Sequence, residues 1–229
     1  MRAAVDAGWV LEVIATESHP LIPWLEEQGI ECHLASEHVV AAICDAVTPQ
    51  GVVAECRLPE TRFDDVLVGT GPVVVCDRIS DPGNLGTIIR TAEAVGAAGV
   101  VATEGSVDPW NAKVVRASAG SIFRLPVVGG FSSDVALDRI AETRRTIALD
   151  GSAELDVFEL LTQLSVMVIS GGQLAWVVGS EAHGVSADVL AAAEFRTRIP
   201  MAPSVESLNA GIALAVCLYS AGDRLQRES

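Results

Sequence analysis

The strongest constraint on this chain is a recurring unit, a short apolar run rich in β-branched residues, then a loop, then a helical stretch. Such runs stand at Val73–Cys76, Val100–Thr103, Leu125–Val128, Thr146–Leu149, Leu174–Val178 and Arg196–Ile199. Most of them are apolar without alternation, the pattern of strands buried on both faces. Helical segments separate them at Thr87–Val95, Pro109–Ala117, Asp134–Thr143 and Ala187–Ala193, and Leu208–Leu225 closes the chain. This order predicts an α/β fold with a mostly parallel sheet and helices on both faces. A shorter alternation comes first: a helix tail at Arg2–Gly8, an apolar run at Trp9–Ala15, a helix around Leu21–Gln28, a strand at Ile30–Leu34, a helix from Glu37 and a strand at Val52–Cys56. Arg57–Gly71, with Pro59, three acids and two late glycines, reads as a linker. The expected organisation is therefore a small α/β domain over 1–56, a linker over 57–71 and a larger domain over 72–229.

Half of the 229 residues are hydrophobic, which excludes a disordered chain. Thirty acids against fifteen bases give a net charge of −15, which argues against a broad basic face for nucleic acid. The charge is uneven, with 12 acids and 3 bases in residues 1–69 and 18 and 12 in residues 70–229. Fourteen of the bases are Arg and one is Lys113, a bias toward planar, bidentate anion contacts. Cys32, Cys44, Cys56, Cys76 and Cys217 show no C-x-x-C spacing and read as thiols in a reducing compartment, with no metal site. Asp6 and Glu12 interrupt any leader-like apolar run. The uncharged stretches Leu160–Ser180 and Ser207–Gly222 read as buried core and not as membrane spans, so the expected location is the cytoplasm.

Parallel α/β sheets bind ligands at the carboxyl ends of their strands, so the loops that follow the strands carry the functional signal. After Val73–Cys76 runs Asp77-Arg78-Ile79-Ser80-Asp81-Pro82-Gly83-Asn84-Leu85-Gly86-Thr87, strong turn chemistry with Asn84 in the natural capping region and Gly86 fit for a close backbone approach. It lacks the spacing of a Walker A loop or of G-x-G-x-x-G, which disfavours nucleotide hydrolysis and dinucleotide redox chemistry. Arg90 reads as the one charge on the apolar side of its helix, near the positive end of the helix dipole, where an anion such as phosphate is needed to balance it. After Leu174–Val178, Gly179 and Gly184 bracket Glu181 and His183; Glu181 reads as a functional carboxylate and His183 as an exposed loop histidine. After Arg196–Ile199, Ser207 and Asn209 open an otherwise apolar final helix, placed either to cap it or to meet a ligand.

Together these loops resemble the three motifs of the SpoU family of RNA ribose 2′-O-methyltransferases, in the SPOUT superfamily. The first is Asn84-x-Gly86-x-x-x-Arg90-x-Ala92 ending at Gly96, the second Gly179-x-Glu181-x-x-Gly184, and the third Ile199-Pro200-Met201 followed by Glu206-Ser207-Leu208-Asn209. The resemblance implies a trefoil-knotted domain that binds S-adenosylmethionine and works as a homodimer on RNA, most of all ribosomal RNA and then transfer RNA. It implies cofactor contacts at Gly179, Ile199, Leu208, Thr103 and Met201. It implies catalytic roles for Arg90, Asn84, Glu181, Ser207 and Asn209, with Arg90 supplied from the partner's side, holding phosphate and stabilising alkoxide charge. The first 56 residues are similar in arrangement to the family's accessory substrate-binding domain, entered partway and without its usual basic leading segment. Restoring such a segment is expected to raise RNA affinity. Where the family continues Ser-Leu-Asn-Val-Ser, this chain has Ala210-Gly211. The rival expectation is an RNA-binding or ribosome-assembly protein that keeps the fold without catalysis.

Overall fold

The computed structural model describes residues 1–44, 48–168 and 173–227, which form two compact units, Met1–Glu60 and Thr61–Ser229. In the first, α1 (Arg2–Asp6), β1 (Val10–Ala15), α2 (Ile22–Glu27), β2 (Cys32–Leu34), α3 (Glu37–Ile43) and β3 (Val52–Cys56) follow the expected order closely. β1 lies in the middle of its sheet, parallel to β2 and antiparallel to β3. Val13, Ala15 and Leu25 form its buried centre, with Trp24 and Ile22 packed around them. Ser36 caps α3 by accepting from the Val39 N–H.

The second unit contains β4 (Val73–Asp77), α4 (Pro82–Ala94), β5 (Gly99–Thr103), α5 (Ala112–Ala117), β6 (Val127–Phe131), α6 (Ser133–Ala141), β7 (Arg144–Leu149), α7 (Val157–Val168), β8 (Gln173–Gly179), α8 (Ala187–Ala192), β9 (Phe195–Thr197) and α9 (Ala210–Arg227). Its six strands lie in the order β6-β5-β4-β8-β7-β9, and every pairing is parallel. Successive side chains leave opposite faces of each strand. Val74, Cys76, Val100, Trp176 and Val178 therefore join one core with residues of α4, α7 and α9, while Val73, Val75, Val101, Ala175 and Val177 join a second core with residues of α6 and α8. The doubly covered sheet is what continuous apolar strands require.

Three expectations change. The second unit starts at Thr61, not at Pro72: within the supposed linker, Phe63–Leu67 forms a 3-10 helix whose Phe63 and Val66 are buried. The spacing of three between these two residues suits one 3-10 turn. The Phe63 ring meets Phe131 edge-on, and Arg144 Nη2 donates to the Leu67 and Gly69 carbonyls at 3.1 and 2.7 Å. α4 begins five residues before Thr87, because Asp81 caps it by accepting from the Asn84 N–H at 2.8 Å and Pro82 needs no donor in the first turn. The uncharged stretch 160–180 contains most of a helix that the strand-and-helix reading left out, α7, which buries Val157, Leu160, Leu161 and Leu164; residues 169–172 of that stretch lie outside the described residues. Among the described residues, no helix is long and apolar enough to cross a membrane.

Candidate active site

The site is built at the carboxyl ends of β4, β8 and β9. β4 ends on Asp77, fully buried, whose Oδ1 accepts from Ser133 Oγ at 2.9 Å and whose Oδ2 accepts from the Ser186 N–H at 2.7 Å. One carboxylate thus fixes the starts of α6 and α8 against the strand. β8 ends on Gly179, after which the chain doubles back, with the Gly184 N–H donating to the Ser180 carbonyl at 2.7 Å. A Cβ on Gly179 would lie 2.1 Å from the Gly184 main chain, so this glycine is required by the fold of its own loop.

That tight loop lifts Glu181 to a meeting point with α4 and α9. Asn84 Nδ2 donates to Glu181 Oε1 at 3.2 Å, and Asn209 Nδ2 donates to the same oxygen at 2.6 Å and to Asn84 Oδ1 at 2.7 Å. Asn209 Oδ1 meanwhile accepts from the Gly211 and Ile212 N–H groups at 3.1 and 3.2 Å, capping α9. Three residues separated by 97 and 28 positions in the chain are locked into one network. Asn84, expected in a capping region, leaves that task to Asp81 and lends its side chain to the site.

Beside this network lies a cleft of about 260 Å³ lined by Gly179, Ile199, Met201 and Leu208, four of the five expected cofactor contacts, together with Glu181 and Ser207. Thr103 does not join them. It is buried, donating to the Cys76 carbonyl at 3.1 Å and accepting from the Arg78 N–H at 3.3 Å, so its hydroxyl ties β5 to the end of β4. Sequence reasoning missed Asp150, which lines the cleft; its Oδ2 is buried without a hydrogen-bond partner, 3.9 Å from Arg196 Nε, while Oδ1 accepts from the N–H and hydroxyl of Ser152. Its place directly after β7 was the available signal. Apolar walls from Leu149, Ile199 and Leu208 and a carboxylate oxygen with no hydrogen bond of its own suit a flat heterocycle bearing hydroxyl donors, the chemistry of an adenosyl group. Ala210 and Gly211, the departure from the family pattern, have separate uses here. Ala210 lines the cleft, and a Cβ on Gly211 would lie 2.9 Å from Thr87 Cγ2, so glycine lets α9 press against α4.

Arg90 stands elsewhere than expected. Leu85, Ile88, Ile89 and Ala92 form the buried stripe of α4, whereas Gly83, Thr87, Arg90 and Ala94 lie on its exposed face, about 100° further round for each residue step. Among the described residues its guanidinium has no hydrogen-bond or ion-pair partner, and it lines neither the cleft nor the network. A second cavity of about 580 Å³ opens on the far side of Glu181, lined by Arg78, Asp81, Asn84, Ser180 and His183 among others.

A cofactor-sized cleft at the carboxyl ends of a parallel sheet, with an amide–carboxylate network at its mouth, defines an α/β group-transfer enzyme of the nucleotide-cofactor kind. Residues 71–219 match the SpoU rRNA methylase family model, and residues 2–62 match the model for RNA 2′-O ribose methyltransferase substrate binding. The chain belongs to the SpoU rRNA methylase family. It is 32% identical to the 23S rRNA (guanosine(2553)-2′-O)-methyltransferase RlmP of Bacillus subtilis (strain 168), over 96% of this chain and 84% of that one. It is 34% identical to the 23S rRNA (uridine(2479)-2′-O)-methyltransferase of Streptomyces viridochromogenes, over 95% and 78%. The crystal structure of the SpoU methyltransferase AviRb from Streptomyces viridochromogenes with AdoMet superposes with a TM-score of 0.84 at 29% identity, covering 100% of this chain and 87% of that one.

Proposed function

We propose that this chain methylates a ribose 2′-hydroxyl of ribosomal RNA with S-adenosylmethionine, working in the cytoplasm as a homodimer with a trefoil-knotted catalytic domain. The observation that carries this reading is the joining of Asn84, Glu181 and Asn209 at the mouth of the cleft. Bound S-adenosylmethionine supplies a methyl group activated by its sulfonium charge. Gly179, Ile199, Met201 and Leu208 would hold it, with Asp150 Oδ2 accepting from a hydroxyl. Glu181, held through Oε1 by two amides, orients the site and leaves Oε2 for the ribose hydroxyl proton, while Asn84 positions the ribose and Ser207 meets substrate or cofactor at the cleft wall. A guanidinium holds its proton and is a poor base, so Arg90 binds phosphate and stabilises charge developing on the 2′-oxygen.

The exposed apolar face of α9 supports homodimerisation and, with it, that role for Arg90. Ile212 and Tyr219 on α9 are 55% and 57% exposed, and α9 packs on α4, whose exposed face carries Arg90. A second copy of this apolar face would cover both side chains and carry an Arg90 toward the partner's cleft. The test is Arg90→Ala. Calorimetry should show S-adenosylmethionine binding within about twofold of wild type while methyl transfer to in vitro transcribed ribosomal RNA falls by about 10²-fold or more, as for loss of a charge-stabilising donor. Near wild-type turnover would remove Arg90 from the mechanism. A wild-type chain giving no heat with the cofactor would favour an RNA-binding protein without catalysis.

A further inference from the structure

Glu181 and Ser180 form a wall with a cavity on each side, the cleft of about 260 Å³ and the second cavity of about 580 Å³. The larger one is of a size that takes a nucleotide. Of the residues that line it, Asn84 and Glu181 already have work in the site, whereas Arg78 has none. Arg78 directly follows β4 with φ 55, a left-handed conformation uncommon outside glycine. The conformation is held by its own N–H on Thr103 Oγ1 at 3.3 Å and by the Ile79 N–H on Ser106 Oγ at 3.0 Å. Gly105 closes over the side-chain stem, since a Cβ there would lie 3.0 Å from Arg78 Cγ.

The guanidinium itself is half exposed and under-used. Its nearest acid is Asp77, with Nη2 and Oδ2 3.7 Å apart, beyond hydrogen-bond length, and both Asp77 oxygens already accept from Ser133 and Ser186. The two acids that line the cavity are engaged as well: Asp81 Oδ1 caps α4, and Glu181 Oε1 carries two amides. A strained backbone that glycine would relax thus presents a planar cation with spare donors to a nucleotide-sized cavity. We infer that this cavity receives the acceptor nucleotide, and that Arg78 is a substrate-binding residue gripping the phosphodiester beside the ribose to be methylated, an inference that rests on the activity proposed above. An Arg fork matches phosphate geometry. Donor and acceptor then meet at their common wall, where Glu181 and the two asparagines stand.

Arg78→Gly tests this, because it removes the cation while suiting the left-handed turn, so misfolding does not confuse the result; Arg78→Asn is the second variant. The probe is in vitro transcribed ribosomal RNA. Arg78→Gly should raise the RNA KM at least about fivefold, with a smaller change in kcat, and lower the slope of log affinity against log salt by about 1. The Kd for S-adenosylmethionine should stay within about twofold and Tm should hold or rise. An RNA KM within twofold of wild type, or a loss that follows cofactor affinity instead, would overturn the assignment. Filter binding of the same transcript separates the two readings. A wild type that methylates nothing, yet binds transcript more tightly than Arg78→Gly, would sink the activity and keep the site.

Discussion

The side-chain amide of Asn209 is divided between a helix and a site, with Oδ1 satisfying two N–H groups at the start of α9 and Nδ2 bonding Asn84 and Glu181. These two functions separate by substitution. Asn209→Ser keeps an oxygen that can cap the helix but removes the amide N–H groups; Asn209→Ala removes both. The serine variant is expected to lie within about 0.5 kcal/mol of wild type in denaturant unfolding and the alanine variant to lose about 1 kcal/mol. Both are expected to lose methyl transfer to the same degree, because both take from Glu181 the shorter of its two amide bonds and leave only Asn84 to hold it. If activity instead followed stability, with serine near wild type, the amide network would have no part in the reaction. At this scale the sequence was readable where polar residues interrupted apolar runs: Asn84, Glu181 and Asn209 stood out at strand ends, and they meet. Which way each points was not readable. Arg90 adjoins Ile88 and Ile89 in sequence, but one further step around the helix puts it on the outer face. Thr103 also sits at a strand end and turns inward to the Cys76 carbonyl.

β9 has only three residues and lies at the edge of the sheet, yet it delivers Ile199 and Met201 to the cleft. Two contacts just before it fix its place beside β7. Arg145 grips the Glu194 carboxylate from Nε at 2.9 Å, and the Glu194 N–H donates to Thr146 Oγ1 at 3.0 Å. The Arg145 hydrogen bonds, followed by the smaller opposing effect of burial, hold the Glu194 carboxyl below the usual carboxylate range. A carboxyl whose folded pKa is depressed adds stability above its unfolded pKa and loses it as pH falls through the folded value. Because Glu194 is 43% exposed, solvent screening limits the contribution to about 0.5 kcal/mol. Glu194→Gln should therefore unfold slightly more easily at pH 7, with the difference shrinking below pH of about 4 as the wild-type carboxyl protonates. Equal curves at pH 7 would show that the Thr146 bond alone pins the strand. Strand positions were legible because parallel strands buried on both faces need unbroken apolar runs. Element starts were less so. Asp81-Pro82 signals both a turn and a helix start, and packing of Leu85 and Ile88 under the sheet decided for the helix. In α7 the burial at 157, 160, 161 and 164 is helical in period, but it was masked by an apolar outer face that includes Phe158.

For the molecule as a whole, the net charge of −15 is less informative than its distribution. In the second unit several Arg side chains are spent on the fold: Arg124 on Glu93, Arg139 on Asp64, Arg145 on Glu194 and Arg144 on two carbonyls. Arg90, Lys113 and Arg116 lie exposed on α4 and α5 without an acid partner among the described residues. That leaves a narrow approach for phosphate, and it places Arg90 outside the cleft of its own chain. If each site takes its network from one protomer and Arg90 from the other, two inactive variants can repair each other. Arg90→Ala and Glu181→Ala both alter exposed side chains, so both should fold. Carried on separate tags and purified together as a heterodimer, they leave one site with an intact network facing an intact Arg90, and one site with neither. Turnover should recover to about half that of the wild-type dimer, although each variant alone is inactive. Were Arg90 to act within its own chain, every site in the heterodimer would lack one of the two groups and the mixture would stay inactive. Recovery therefore tests the composite site directly, and its absence would confine catalysis to a single chain and leave the exposed face of α4 and α9 without a role in the reaction.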